Sequence, residues 1–222
     1  MDRLVGDKDG AAPGSTVARI RLNLGCGGNP LPDYINVDMD TLERIRARYP
    51  DKHFADNIVV RQYDIFNLPY ADGTVDEIRA DSMIEHLDFF EEPKFFYEMR
   101  RALKSGGVLA LSVPDFEEAC RMWLAASDDW KEFFRNDDEA IRQQHWFGTY
   151  SAALDNRWGY LITTFFGNQN GQGMYHRNAY SEGKLRAIAR QLGFTVAKCE
   201  RFLWKGDRDP MLYFELVKAT AA

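Results

Sequence analysis

The sequence predicts an α/β fold of three layers, in which helices cover both faces of a mostly parallel sheet. Short apolar segments alternate with helical segments over the first half of the chain, the order expected when crossover helices join parallel strands. Three of the predicted strands lead into an aspartate, namely Asp38, Asp64 and Asp81. Two more strands are predicted near the end of the chain, which brings the predicted sheet to seven strands.

The first strand is predicted where apolar and polar residues alternate from Ala18 to Leu24, directly before the turn Gly25-Cys26-Gly27-Gly28. Pro30 and Pro32 leave little room for a regular helix in the first connection. The continuous apolar run at residues 108–113 predicts a buried middle strand. The other predicted strands are residues 34–38, 58–63, 75–80, 194–196 and 211–217, and the predicted helices are residues 40–49, 93–104 and 181–192.

Capping residues, prolines and glycines predict where the helices begin and end. Asp40 is the expected N-cap of the first helix, which ends before Pro50. The second helix carries its apolar residues on one face and is expected to end at Gly106-Gly107. The third begins at the capping residue Ser181 and ends before Gly193.

One segment is unusually rich in aromatic residues. These residues make up 14% of the chain, and four of the 5 tryptophans lie between residues 116 and 180. The segment is too long for one crossover, so it predicts an insertion after the fifth strand, with helices at 116–127 and 129–144. Two interpretations remain open: the aromatic residues form the core of a small helical unit, or they form a lid over the crevice at the carboxyl ends of the strands.

Composition narrows the class of protein. The 222 residues include 28 Lys plus Arg and 34 Asp plus Glu, a net charge of −6, which argues against nucleic acid as a partner. No apolar run is long enough to span a membrane. The three scattered cysteines predict neither a disulfide framework nor a structural zinc site, and no sequence feature requires a metal. We expect residues 1–17 to be a flexible leader, residues 18–222 to form one domain, and the protein to be cytoplasmic.

The glycine turn and Asp38 together predict a nucleoside site. Glycines after a strand let a ligand approach the main chain, and an acid at the end of the next strand can accept hydrogen bonds from ribose hydroxyls. Pro30 stands where a dinucleotide fingerprint would place its last glycine, and the acid comes early. A dinucleotide is therefore disfavoured.

These residues resemble class I S-adenosylmethionine-dependent methyltransferases. The resemblance begins with the motif Leu22 to Asn29 and Asp38 and covers roughly residues 20–115. Its remaining segments are residues 63–70, 75–78, 82–87, 98–107 and 180–194. It implies a Rossmann-like, doubly wound seven-stranded sheet and S-adenosylmethionine as cofactor. The short first connection is similar to that of a subgroup often linked to sugar and polysaccharide pathways.

The resemblance also implies where the cofactor would lie. The methionine part would contact the main chain of the glycine turn, the ribose would bind an acid after the second strand, and the adenine would lie beside residues after the second and third strands. Asn23 replaces the usual acid before the first glycine, so the ammonium group is expected to use main-chain carbonyls and Asp81. The implied cofactor-binding residues are Gly25, Cys26, Gly27, Asp38, Met39, Asp64, Ile65, Asp81 and Ser82.

Three histidines are candidates for removing a proton from the methyl acceptor, because imidazole accepts protons near neutral pH. His86 follows the fourth strand, whereas His145 and His176 lie in or beside the aromatic segment. Each has a structural alternative, as a packed or hydrogen-bonded histidine. The expected acceptor-binding residues are Trp146, Tyr150, Tyr175 and His176.

The sequence therefore predicts methyl transfer to an oxygen or nitrogen of a small polar acceptor, such as a sugar or glycan precursor. A homodimer is compatible with this prediction. Two alternatives stay open: a protein that binds the cofactor without catalysis, and a nicotinamide-dependent oxidoreductase.

Overall fold

A computed structural model describes residues 19–126, 160–169, 173–204 and 209–220. Its centre is a sheet of seven strands in the order β3-β2-β1-β4-β5-β7-β6. The strands are β1 Arg21–Leu24, β2 Ile35–Val37, β3 Val60–Arg61, β4 Val75–Asp81, β5 Leu103–Pro114, β6 Phe194–Trp204 and β7 Asp209–Lys218. None of the helices in the described ranges is long and apolar enough to cross a membrane.

The sheet is mixed, as the mostly parallel prediction allows. Strands β1 to β5 are parallel to one another, whereas β7 runs antiparallel to both β5 and β6. The parallel strands therefore bring their carboxyl ends, with Gly25, Asp38 and Ser82, to one edge of the sheet.

Five helices are described, together with a 3₁₀ turn at Ile84–His86. The helices are α1 Leu42–Arg48, α2 Glu91–Ala102, α3 Phe116–Ala125, α4 Tyr160–Phe166 and α5 Glu182–Gln191. The main hydrophobic core packs α2 and α5 against the sheet, with Phe95, Met99 and Leu185 fully buried.

At two helix ends the structure shows why the boundary differs from prediction. The N-cap of α1 is Thr41 and not Asp40, because the Thr41 side chain accepts the Arg44 N–H, while the Asp40 carboxylate pairs with Arg48. Helix α2 ends at Ala102 rather than at the glycine pair. Strand β5 starts at Leu103, and its register with β4 shifts between Val75 and Glu77.

The aromatic segment is only partly described. Helix α3 matches the predicted helix at 116–127, and its Trp123 packs edge-on against Phe165 of α4, with 5.5 Å between ring centroids. Ala119 and Leu161 are buried between the same two helices. The predicted helix at 129–144 lies outside the described residues, as do Trp130, Trp146, Trp158 and the predicted leader.

Two buried asparagines hold the short first connection without a helix. Asn23 in β1 donates through Nδ2 to Asn36 Oδ1 at 2.9 Å and to the Asn29 carbonyl at 3.1 Å. Asn36 also accepts the Leu31 N–H at 2.8 Å and donates to the Leu31 carbonyl at 3.0 Å. The two side-chain amides thus form hydrogen bonds with main-chain N–H and carbonyl groups of this connection, in which prolines prevent a helix.

We expect Asn36→Ala to lower the free energy of unfolding by about 1–3 kcal/mol, because it removes the oxygen that accepts from both the buried Asn23 amide and the Leu31 N–H. Urea unfolding would measure the change. Asn67→Ala is the matched control: Asn67 is exposed, and its substitution should change stability by less than about 0.5 kcal/mol. Equal effects of the two substitutions would show that the asparagine pair does not hold this connection.

Candidate functional site

A cavity of about 420 Å³ lies at the carboxyl ends of β1, β4 and β5. One wall is the glycine turn, and a second is the segment from Asp81 to His86. Residues of two further parts of the chain also line it, Thr163, Thr164, Gly167, Asn168, Met174 and His176 in one and Trp204 and Met211 in the other. This is the edge of a doubly wound sheet at which ligands generally bind.

Two features of the structure require glycine at Gly25, the first position of the glycine turn. Gly25 has a φ of 61°, in the left-handed region, and a Cβ there would lie 2.3 Å from Cγ of Met83. The next glycine, Gly27, has a φ of 45°, and its N–H donates to Oδ2 of Asp38 at 2.8 Å. Asp38, at the end of β2, therefore fixes the turn that follows β1.

A lysine that the sequence analysis missed supports the same turn. Lys52 Nζ donates to the Gly28 carbonyl at 3.0 Å and to Asn29 Oδ1 at 2.7 Å, and it lies 5.4 Å from the centroid of the Tyr49 ring. Both Lys52 and Tyr49 line the cavity. No local motif marks them, because they reach the turn from the loop after α1.

The end of β4 presents a buried, unpaired oxygen. Oδ2 of Asp81 accepts from Arg79 at 2.9 Å, whereas Oδ1 is buried and has no hydrogen-bond partner among the described residues. Ser82, which follows, has a φ of 49°, an uncommon conformation for a residue other than glycine and one that is concentrated at functional sites. A buried oxygen without a partner is costly, so this wall suits a ligand that donates hydrogen bonds.

The predicted cofactor residues separate into two groups. Gly25, Cys26, Gly27, Asp81 and Ser82 line the cavity. The other four, Asp38, Met39, Asp64 and Ile65, lie outside its lining, in the segments that follow β2 and β3.

The side chains of this second group have different environments. Met39 is 62% exposed. Asp64 is exposed and accepts the Phe66 N–H at 2.9 Å, and Ile65 packs against the core. Asp38 is the member of this group that reaches the glycine turn through its own hydrogen bond.

Two of the three predicted histidines meet in the cavity wall. The rings of His86 and His176 are 5.0 Å apart between centroids, with 71° between their planes. Both line the cavity together with Glu85. The third histidine, His145, lies outside the described residues, as do Trp146 and Tyr150.

Main-chain hydrogen bonds bring His176 to His86. The Glu85 carbonyl accepts the N–H groups of Arg177 at 2.8 Å and Asn178 at 3.1 Å. The Tyr175 carbonyl lies 2.9 Å from Nδ1 of His86, while the Tyr175 side chain is exposed. This pairing of the 3₁₀ turn with residues 175–178 depends on tertiary structure, and no local pattern predicts it.

Burial sets the charge of the cluster. Burial raises the pKa of Glu85 to about 8, and the nearby Asp81 carboxylate adds to the rise. Burial lowers the pKa of His176 to about 4, with a smaller contribution from His86. The pKa of His86 is also lowered by burial, against the opposing effect of the Tyr175 and Ser82 carbonyls. Near neutral pH, both imidazoles are therefore neutral.

We expect Gly25→Ala to destabilise the protein more than Gly106→Ala. Both glycines have positive φ values, 61° and 75°, so alanine costs about 1–2 kcal/mol at either position. At Gly25 the new Cβ also meets Met83, whereas at Gly106 nothing lies within 4 Å. This overpacking should add about 1–3 kcal/mol. Equal losses of unfolding free energy in urea would refute the close approach to Met83.

Part of the chain is similar to known methyltransferases. Residues 22–111 match the family model of a methyltransferase domain. A probable S-adenosylmethionine-dependent methyltransferase of Mycolicibacterium smegmatis is 32% identical over 81 residues, which are 36% of this chain and 28% of that protein. Another, from Mycobacterium tuberculosis, is 31% identical over 108 residues, 44% of this chain and 36% of that protein. The chain thus spans about a third of the length of these relatives.

Solved structures support the fold. The putative methyltransferase of Haloferax volcanii, solved with the Trm112 methyltransferase activator, has a TM-score of 0.55 at 14% identity, covering 92% of this chain and 84% of that one. An N1-methyltransferase of Burkholderia thailandensis, solved with S-adenosylhomocysteine, has a TM-score of 0.52 at 12% identity, covering 90% and 71%. Residues 22–111 are thus similar to a methyltransferase domain, and the curated relatives that share this part of the chain are probable S-adenosylmethionine-dependent methyltransferases.

Proposed function

We propose that this protein transfers a methyl group from S-adenosylmethionine to an oxygen or nitrogen of a small polar acceptor. The observation that carries the proposal is one cavity with two kinds of wall. For this proposal we divide the lining into a first wall, the glycine turn with Asp81, and a second wall, Glu85 and His86 with His176. A cofactor and an acceptor could therefore meet within a single space of about 420 Å³.

The residues at the first wall fit the cofactor. The glycine turn has no side chain to block close approach to its main chain, and the unpaired Oδ1 of Asp81 suits an ammonium group. When bound there, S-adenosylmethionine supplies a methyl group activated by its sulfonium. Asp38 would hold the ribose while it fixes the turn, with Met39, Asp64 and Ile65 beside the adenine.

The second wall would receive the acceptor. Two imidazoles line it, and either could take up the acceptor proton in its neutral form. Tyr175, Trp146 and Tyr150 are the aromatic residues that we expect to contact the acceptor beside His176. Alignment of the acceptor and exclusion of water would be the main contributions of this side.

We propose a sugar or glycan precursor as the acceptor class. The short, helix-free connection between β1 and β2 supports this choice, because it resembles that of the subgroup linked to sugar pathways. The mixed polar and aromatic lining, with Thr163, Asn168 and Trp204, also suits a hydroxylated ring.

Asp38→Ala should weaken the binding of S-adenosylhomocysteine roughly 10- to 100-fold, the scale of a lost hydrogen-bonded carboxylate. The substitution also frees the Gly27 N–H that orders the turn. Isothermal titration calorimetry would measure the affinity. Asp33→Ala is the matched control, because the Asp33 side chain is 78% exposed and its ion pair with Arg21 is a long one, at 3.9 Å. Unchanged affinity in a folded Asp38→Ala variant would overturn the ribose placement.

Turnover separates an enzyme from a binding protein. We expect S-adenosylhomocysteine to form from S-adenosylmethionine when the protein is given a panel of sugars, sugar nucleotides and amines, with mass spectrometry as the readout. A protein that binds S-adenosylhomocysteine yet forms none with any member would instead be a non-catalytic binding protein. A protein that binds NADH and not S-adenosylhomocysteine would be an oxidoreductase.

A further inference from the structure

Glu85 is a buried polar residue in the cavity wall. The residue is only 2% exposed, and its Oε2 is buried without a hydrogen-bond partner in the part of the chain that the structure describes. A buried carboxyl group without a partner costs free energy, and such groups generally pair with a cation or a metal. Two cations near this edge of the sheet, Lys52 and Arg79, already bond to the glycine turn and to Asp81.

The two histidines beside Glu85 have their tautomers fixed by the main chain. Nδ1 of His86 lies 2.9 Å from the Tyr175 carbonyl, and Nδ1 of His176 lies 2.8 Å from the Thr164 carbonyl. A carbonyl oxygen can only accept, so each Nδ1 carries the proton and each Nε2 keeps its lone pair. An imidazole held in this way by a main-chain carbonyl is the usual arrangement of a metal-binding histidine.

We propose that Glu85, His86 and His176 bind a divalent transition-metal ion such as Zn²⁺ in the wall of the cavity. One potential ligand atom from each residue lies within 4.8 Å of the other two. Ligands of Zn²⁺ at about 2.0–2.2 Å stand about 3.4 Å apart in a tetrahedron, so side-chain movements on the order of 1 Å would close the site.

The ligand types select the kind of metal. Two imidazole nitrogens with one carboxylate suit Zn²⁺ and other first-row transition ions, whereas Mg²⁺ and Ca²⁺ prefer ligand sets made of oxygen. The ion would pair the buried Glu85 carboxylate, and the Asp81 carboxylate near it adds favourable negative charge. The same ion would keep two imidazoles close together, at 5.0 Å between centroids, without either of them being protonated.

This inference rests on the proposed function for its role in the reaction. Three protein ligands leave at least one position open, as in catalytic zinc sites. An acceptor hydroxyl in the cavity could take that position through its oxygen, which would lower the hydroxyl pKa and let the proton pass to water. His86 and His176 would then be ligands that activate the acceptor through the ion and not free bases.

Metal binding can be measured without cofactor or acceptor. The full-length protein, stripped with EDTA and dialysed, should bind one Zn²⁺ per chain at this site in a calorimetric titration with zinc sulfate, and it should not bind Mg²⁺ comparably. His176→Gln, His86→Gln and Glu85→Gln should each weaken this binding by at least about 100-fold. His53→Gln is the matched control, because His53 is exposed and outside the cavity, and it should leave the titration unchanged.

Co²⁺ gives a second readout that does not depend on affinity alone. With Co²⁺ in place of Zn²⁺, the wild-type protein and His53→Gln should show the strong visible absorption of a four- or five-coordinate ion. His176→Gln should lose that absorption while keeping the wild-type circular dichroism. The proposal is overturned if wild-type protein binds no Zn²⁺, or if folded His86→Gln and His176→Gln variants bind it as tightly as wild type.

A separate titration distinguishes the metal site from the function on which its role depends. S-adenosylhomocysteine should bind the EDTA-treated protein, because the glycine turn and Asp81 do not need the ion. Zn²⁺ binding without S-adenosylhomocysteine binding would keep the metal site and refute the methyltransferase role. The reverse result would keep the function and refute the metal site, returning His86 and His176 to the role of bases.

Discussion

The close approach of two strand ends is the constraint on which the site depends. The turn after β1 runs so near the segment after β4 that a Cβ on Gly25 would meet Met83 at 2.3 Å. This contact sets the glycine turn directly against Asp81, Ser82 and the 3₁₀ turn. A cavity can form there because the carboxyl ends of parallel neighbouring strands come to one edge of the sheet.

A second set of main-chain contacts closes the cavity from a distant part of the chain. The Glu85 carbonyl accepts two N–H groups from Arg177 and Asn178, and this pairing carries His176 to the side of His86. Gly167 makes the approach possible, since a Cβ there would lie 2.1 Å from the Met174 carbonyl. The acceptor side of the site is thus assembled by main-chain geometry, and its histidines are oriented by carbonyls.

The electrostatics of the cavity depend on two carboxyl groups that each have one oxygen without a hydrogen-bond partner in the described residues. The buried oxygens Oδ1 of Asp81 and Oε2 of Glu85 have no hydrogen-bond partner within the described chain, so both favour a ligand that donates protons or carries positive charge. Two such ligands are proposed, an ammonium group at Asp81 and a metal ion at Glu85. Each assignment accounts for one orphaned oxygen, and each is tested by a different titration.

The sequence alone was enough to predict the α/β class, the glycine turn, and the strands leading to Asp38 and Asp81, because strand periodicity and glycine turns are encoded locally. It missed the end of α2 and the N-cap of α1, where pairing of β5 with β4 and the Asp40–Arg48 ion pair compete with local signals. Only the tertiary structure decided that Lys52 supports the turn and that Glu85, His86 and His176 meet. Segments so far apart in the chain come together through main-chain hydrogen bonds and burial. The spacing of residues in the sequence does not predict such contacts.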